Sequence, residues 1–181
     1  MQLGEVYNYI KKHKEDFPVD LDRIVVGGDS AGAQISGQFV NIQTNNKYAE
    51  RIGIEPTIIP SKLKGYISFS GLLHRNGIDE TDSKFANFLF RRCAWAYIDD
   101  KHWKGSPAAN QASVIDNVTD QFPPTYLTDG NKGSFETHAI ELIETLKNKG
   151  VEVTSLLLDI NEENLGMNIS FQWIKQLLFK T

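Results

Sequence analysis

Four short apolar runs alternate with longer stretches of helical spacing, and this alternation limits the fold more than any other feature of the chain. The runs are Ile24-Val25-Val26, Leu63 to Ser70, Thr125-Tyr126-Leu127-Thr128 and Val151 to Leu158. Helical spacing covers Gly4 to Lys14, Ala31 to about Asn45, Ser83 to Tyr97, Phe135 to Lys149 and Ile169 to Phe179. Strands and helices in this order predict parallel strands joined by right-handed crossovers, hence an α/β fold with a sheet of about four strands flanked by helices. Ile24–Val26, apolar throughout, fits a strand covered on both faces. Ala33, Ser36 and Gly37 would let the next helix lie close to the sheet. Val6, Tyr9 and Ile10 share one face of the first helix. Ile140, Ile143 and Leu146 are expected to point inward from the helix that Gly150 stops. The polar stretch 45–62, broken by Pro56 and Pro60, reads as a loop, and 106–122 as irregular. Such folds host many chemistries, so function has to be sought in a site.

The totals exclude several classes. The chain has 181 residues, enough for one domain with a sizeable core. Its formal charge is −4 and no basic patch argues for nucleic acid. Lys11-Lys12-His13-Lys14 runs straight into Glu15-Asp16, as a solvated helix face does. With Cys93 as the single cysteine, no internal disulfide or cysteine-built metal site can form, and Cys93 reads as a small buried residue. His13, His74, His102 and His138 are scattered without ligand spacing, so neither metal nor cofactor is expected. No apolar run reaches membrane-spanning length and the N-terminus is soon polar, so the expectation is a cytoplasmic protein with no membrane partner.

One segment carries chemistry. Gly28-Asp29-Ser30-Ala31-Gly32 follows a predicted strand and opens a predicted helix, the context of a G-x-S-x-G nucleophile elbow. The turn is tight enough to strain the serine backbone, and its neighbours have to be small. Ser30 would stand at the C-terminal edge of the sheet above a helix N-terminus, and the Ala31 N–H could supply half of an oxyanion hole. A structural Gly-Ser turn is the plainer alternative. A phosphate loop fits poorly, because Gly27, Gly28 and Gly32 miss the dinucleotide spacing and no Walker lysine follows.

Gly27 through Ala33 resembles the GDSAG block of the hormone-sensitive-lipase-like esterases among the α/β-hydrolases. Asp22-Arg23-Ile24 before the block, Phe122-Pro123-Pro124-Thr125 with Gly130-Asn131 beyond it, and Leu146 to Val153 are similar in order and spacing. The resemblance covers nearly the whole chain and implies carboxylic-ester hydrolase ancestry. It also implies that 1–181 is one partial domain, the C-terminal part of the fold. The early strands and the glycine-rich segment giving the second oxyanion donor would lie outside it. Residues 74–104, rich in aromatics, would form a crossover helix that is also a cap or pocket wall.

The departures are as informative. Such a hydrolase needs a histidine base after the last strand and an acid before it. No histidine occurs from Val151 to Thr181, and Met167 holds the position the resemblance assigns to it. Gly133 holds the position of the acid. Asp129 and Glu136 are nearby carboxylates, read as a strand-end residue and a helix-start residue. His138 and His102 read as surface histidines rather than substitutes.

Three functions compete on this reading: an impaired esterase acting on small acyl esters, a non-catalytic relative binding an apolar ligand or a protein through the old pocket, and a fragment without its own role. Strands missing beside Arg23–Gly28 would leave unpaired ladder groups, so self-association through that edge is expected.

Overall fold

The computed structural model describes residues 2–74, 77–81, 83–130 and 134–157. Four parallel strands form one sheet in the order β1-β2-β3-β4: β1 Ile24–Asp29, β2 Leu63–Phe69, β3 Thr125–Asp129 and β4 Val153–Leu157. The helices are α1 Gln2–Lys12, α2 Ala31–Thr44, α3 Asn46–Ile52, α4 Lys84–Ile98, α5 Pro107–Ala112 and α6 Glu136–Asn148. The expected fold class is the observed one. The expected helix at Ile169–Phe179 lies outside the described residues.

The core fills the space between the sheet and α1, α2 and α6. Tyr66 and Leu127 from the strands meet Ala33, Phe39 and Val40 of α2, with Leu142 and Leu146 of α6. Gly37 is required here, since a Cβ would stand 2.9 Å from Val114 and 3.0 Å from the Tyr66 hydroxyl. That hydroxyl donates to the Ala33 carbonyl at 2.7 Å, so the strand-to-helix contact is satisfied as well as close.

Several local expectations change. Burial alternates along β1, and Val25 is 56% exposed, so among the described residues this strand is covered on one face only. The inward residues of α1 are Leu3, Gly4 and Tyr7, while Val6 and Tyr9 face solvent. In α6, Leu142 replaces Ile140 on the inner face, and Ile140 is exposed. Both shifts are one-step phase errors around a helix, where exposed apolar residues blur the stripe.

Part of 45–62 is helical. The Asn45 side chain caps α3 by accepting from the Tyr48 N–H, Gly53 ends it at φ 67°, and Tyr48 and Ala49 are buried. The stretch 106–122 is not irregular throughout either: Pro107–Ala112 forms α5, capped by the Ser106 side chain accepting from the Ala109 N–H, and side chains of α2 tie it down. Gln34, Gln38 and Asn41 on one face of α2, and Asn45 just after its end, donate to the carbonyls of Ala112, Gln111, Val114 and Asn117 at 2.8, 3.1, 2.9 and 2.9 Å. A polar face on a buried helix therefore satisfies carbonyls at the end of α5 and just beyond it, which so short a helix leaves open.

Candidate active site

The C-terminal ends of the strands place the candidate residues in one row. Asp29 is level with Phe69, Phe69 with Thr128, and Thr128 with Leu156. One residue further on stand Ser30, Ser70 and Asp129. The ladder continues into the turns: the Ser30 N–H donates to the Phe69 carbonyl at 2.8 Å and the Ser70 N–H to the Thr128 carbonyl at 2.9 Å. Two strand spacings separate Ser30 from Asp129, roughly 10 Å.

Ser30 occupies the turn between β1 and α2 at φ 55°, ψ −118°. That pair lies outside the regions open to an L-residue, and it persists because the flanking elements fix both ends. Gly28 makes the turn feasible, since a Cβ there would meet the Gly32 carbonyl carbon at 2.3 Å. Gly32 differs from expectation, because a Cβ on it would meet nothing within 4 Å. Ser30 is half-buried, and its carbonyl accepts from the N–H groups of Ala33 and Gln34. The N–H of Ala31, the first residue of α2, has no carbonyl within its own helix to serve.

Beside this first turn opens a cavity of about 280 Å³. Ala31 and Gln34 form one wall, Phe90 and Ala94 of α4 another, with Trp103 and His74 closing it. Cys93, expected to be buried, is exposed on α4 and also borders this space. Asp79 fastens the α4 wall: its buried carboxylate meets Arg91 Nε at 2.9 Å and Lys104 Nζ at 2.7 Å. Burial pushes the Asp79 carboxyl up, but these two cations outweigh it and hold the carboxyl below its usual range.

His74 is a histidine the sequence reading does not weigh as a base, although it lies five residues past the end of β2. Its Nδ1 is 2.6 Å from Glu141 and its Nε2 3.9 Å from Asp116, so both ring nitrogens face carboxylates. His138, read as a surface residue, is 2% exposed, stacked on Phe135 and edge-on to His74. His102 is exposed in the loop after α4.

Asp129 is 1% exposed at the end of β3. Burial raises its pKa to about 7, with the charge of Glu136 adding to the rise, against the lowering effect of the Gly130 N–H and the Ser70 hydroxyl. A strand-end acid with this environment is a stronger candidate than its sequence position suggested. Gly133 and Met167 both lie outside the described residues. Among the described residues no group of three or more histidine, cysteine or acidic side chains could hold a metal ion.

Residues 2–160 match the model of a family described as having the alpha/beta hydrolase fold. The chain belongs to that family. Comparison with curated proteins finds no match. Among solved structures, an inhibited esterase B from Lactobacillus rhamnosis is 18% identical, with a TM-score of 0.66, and the match covers 86% of this chain and 48% of that one. Esterase LipW from Mycobacterium marinum is 16% identical with a TM-score of 0.63, covering 85% of this chain and 46% of that one. The carboxylesterase Cest-2923 from Lactobacillus plantarum WCFS1 is 12% identical with a TM-score of 0.62, covering 98% and 65% respectively. The chain thus spans about half the length of the first two of these enzymes. At such identities the likeness carries the fold alone.

Proposed function

We propose that this α/β-hydrolase is of serine carboxylesterase lineage, with Ser30 as the residue that would attack an acyl carbonyl. The observation that carries the reading is the backbone of Ser30, held at φ 55° between a strand and a helix N-terminus. The Ala31 N–H would meet the oxyanion, and the adjoining apolar cavity suits a short acyl chain or another small apolar ligand. A cytoplasmic setting suits the exposed thiol of Cys93.

Hydrolysis through Ser30 is expected to be weak. Attack requires a base for the hydroxyl proton. Met167 and Gly133 stand where the resemblance puts the histidine and the acid, and His74 has both nitrogens turned to Glu141 and Asp116. With the base gone, binding and an intact oxyanion hole leave on the order of 10³ over water, and a half-formed hole leaves less. A p-nitrophenyl butyrate assay with a fluorophosphonate probe tests this. Slow turnover and labelling that both vanish in Ser30→Ala support the reading. An ordinary enzymatic rate shows that a base has been overlooked, and activity retained in Ser30→Ala removes Ser30 from the chemistry.

The same two substitutions favour a second reading, a non-catalytic relative that binds an apolar ligand in this cavity. It predicts ligand binding that is unchanged in Ser30→Ala. We further propose self-association through the β1 edge, supported by β1 pairing only with β2 among the described residues.

A further inference from the structure

The outer face of α4 has no role in the site just described. Phe88, Leu89, Arg92 and Ala96 lie three, four, seven and eleven residues after Phe85 and so share its side of the helix, with Trp95 beside them. Phe85 is 72% exposed, Phe88 53%, Leu89 43% and Trp95 38%. Scattered exposed apolar residues are ordinary, but four adjoining large ones on one arc are not. The inner face of the helix is already occupied: Phe90, Ala94 and Ile98 line the cavity and Arg91 is held by Asp79. The helix is therefore apolar on both sides.

Its charge is equally one-sided. The protein is acidic overall, yet α4 contains Lys84, Arg91 and Arg92 and no acid. With Arg91 paired to Asp79, the other cations of α4 are Lys84, exposed at its first residue, and Arg92. Arg92 sits in the middle of the arc, 5.1 Å from the ring centroid of Phe88 and 5.6 Å from that of Trp95. Asp99 and Asp100 come only after the helix has ended, next to Lys101.

We propose that this face of α4 docks on an anionic lipid surface, lying in the plane of the interface with Phe85, Phe88, Leu89 and Trp95 inserted. Aromatic and leucine side chains interleaved with cations are what interfacial helices use, and no helix of the described residues is long and apolar enough to span a membrane. Fifteen residues of helix give a contact about 22 Å long. A second copy is the poorer occupant: a two-fold pairing through this arc would set Arg92 against its own counterpart, whereas anionic headgroups complement it. The sequence alone pointed to no membrane partner, because no apolar run reaches membrane-spanning length, a test that an interfacial helix does not need to pass. Docking would place the lipid surface on one side of α4 and the apolar cavity on the other, a single helix apart.

Sedimentation with vesicles tests the proposal, using phosphatidylglycerol mixed into phosphatidylcholine against phosphatidylcholine alone. The protein should pellet with the anionic vesicles. Phe85→Asp with Phe88→Asp should reduce the bound fraction roughly tenfold or more, and Arg92→Glu should weaken it further with added salt removing the remainder. All these positions are exposed, and unchanged urea midpoints will confirm intact folding. Ser30→Ala should bind as the parent does, which separates this result from any failure of the hydrolase reading. Absence of pelleting, equal binding to neutral vesicles, or full retention by the double variant overturns it. So does light scattering that shows a dimer dispersed by the double variant without vesicle binding by the parent.

Discussion

Gly28 and Gly32 approach so closely across the β1–α2 turn that a methyl group on the first would stand 2.3 Å from the carbonyl carbon of the second. The contact is not symmetrical, because a methyl group on Gly32 would point into open space. Gly28→Ala should therefore cost about 2 kcal/mol or more, as backbone has to move. Gly32→Ala should lie within about 1 kcal/mol of the parent and tend to stabilise, since alanine is the better helix former. Urea denaturation of the two variants checks both values, and equal losses would count against the described turn.

Asn41 is fully buried and donates to the Val114 carbonyl at 2.9 Å. Asn41→Leu should destabilise by about 1–3 kcal/mol, because that carbonyl loses its partner in the interior. The loss should appear first in the segment 111–117, as faster amide exchange there than in the sheet.

Asp129 gives a pH signature with a definite sign. Its carboxyl titrates near 7 in the folded protein, above the value of an unfolded aspartate. The native state then holds a proton that the unfolded state has released between about pH 4 and 7. The stability from this group is fully present below pH 4 and declines as pH rises through 7. Asp129→Asn should flatten the fall: the variant gains on the parent at pH 8 but not at pH 4.5, measured by denaturation midpoints. A parallel pair of pH profiles would show that Asp129 is ionised throughout.

The proposed association through β1 would use the exposed Val25 side chain and the outer ladder groups of Ile24 to Gly27. Val25→Lys should lower the apparent mass in concentration-dependent light scattering, since a charge on an edge strand discourages pairing. Slow exchange of the Ile24–Val26 amides in a strict monomer would remove the case for an open edge.

The strands and the position of Ser30 were legible in the sequence because each rests on a local rule. Short apolar runs separated by helical spacing allow few topologies, and glycines on both sides of a serine mark a tight turn. What was missed depends on contacts between distant segments. Nothing near Pro107–Ala112 announces that amides on α2, some seventy residues earlier, hold the following stretch. Nor does the sequence around His138 show that Phe135 and His74 bury it. Asp129 looked like a strand-end acid, and only the sheet register brings it level with Ser30 and Ser70. The inward phase of α1 and α6 was misjudged for a different reason: both helices also carry large apolar residues on the outside, Val6 and Ile140 among them.

The two walls of the cavity are fastened by different chemistry. On the α2 side the ties to 111–117 are neutral carboxamides, which neither acid nor salt can titrate or screen. On the α4 side the main anchor is one carboxylate, Asp79, shared by Arg91 and Lys104, with the Tyr97 hydroxyl donating to Gln38 at 2.9 Å. Acid strong enough to protonate Asp79 would release both cations together, while the amide wall stayed in place. The polar ties of one half of the chamber thus ignore pH and those of the other loosen in acid, leaving α4, the helix with the exposed aromatics, held by its apolar packing against Trp103 and Ala109.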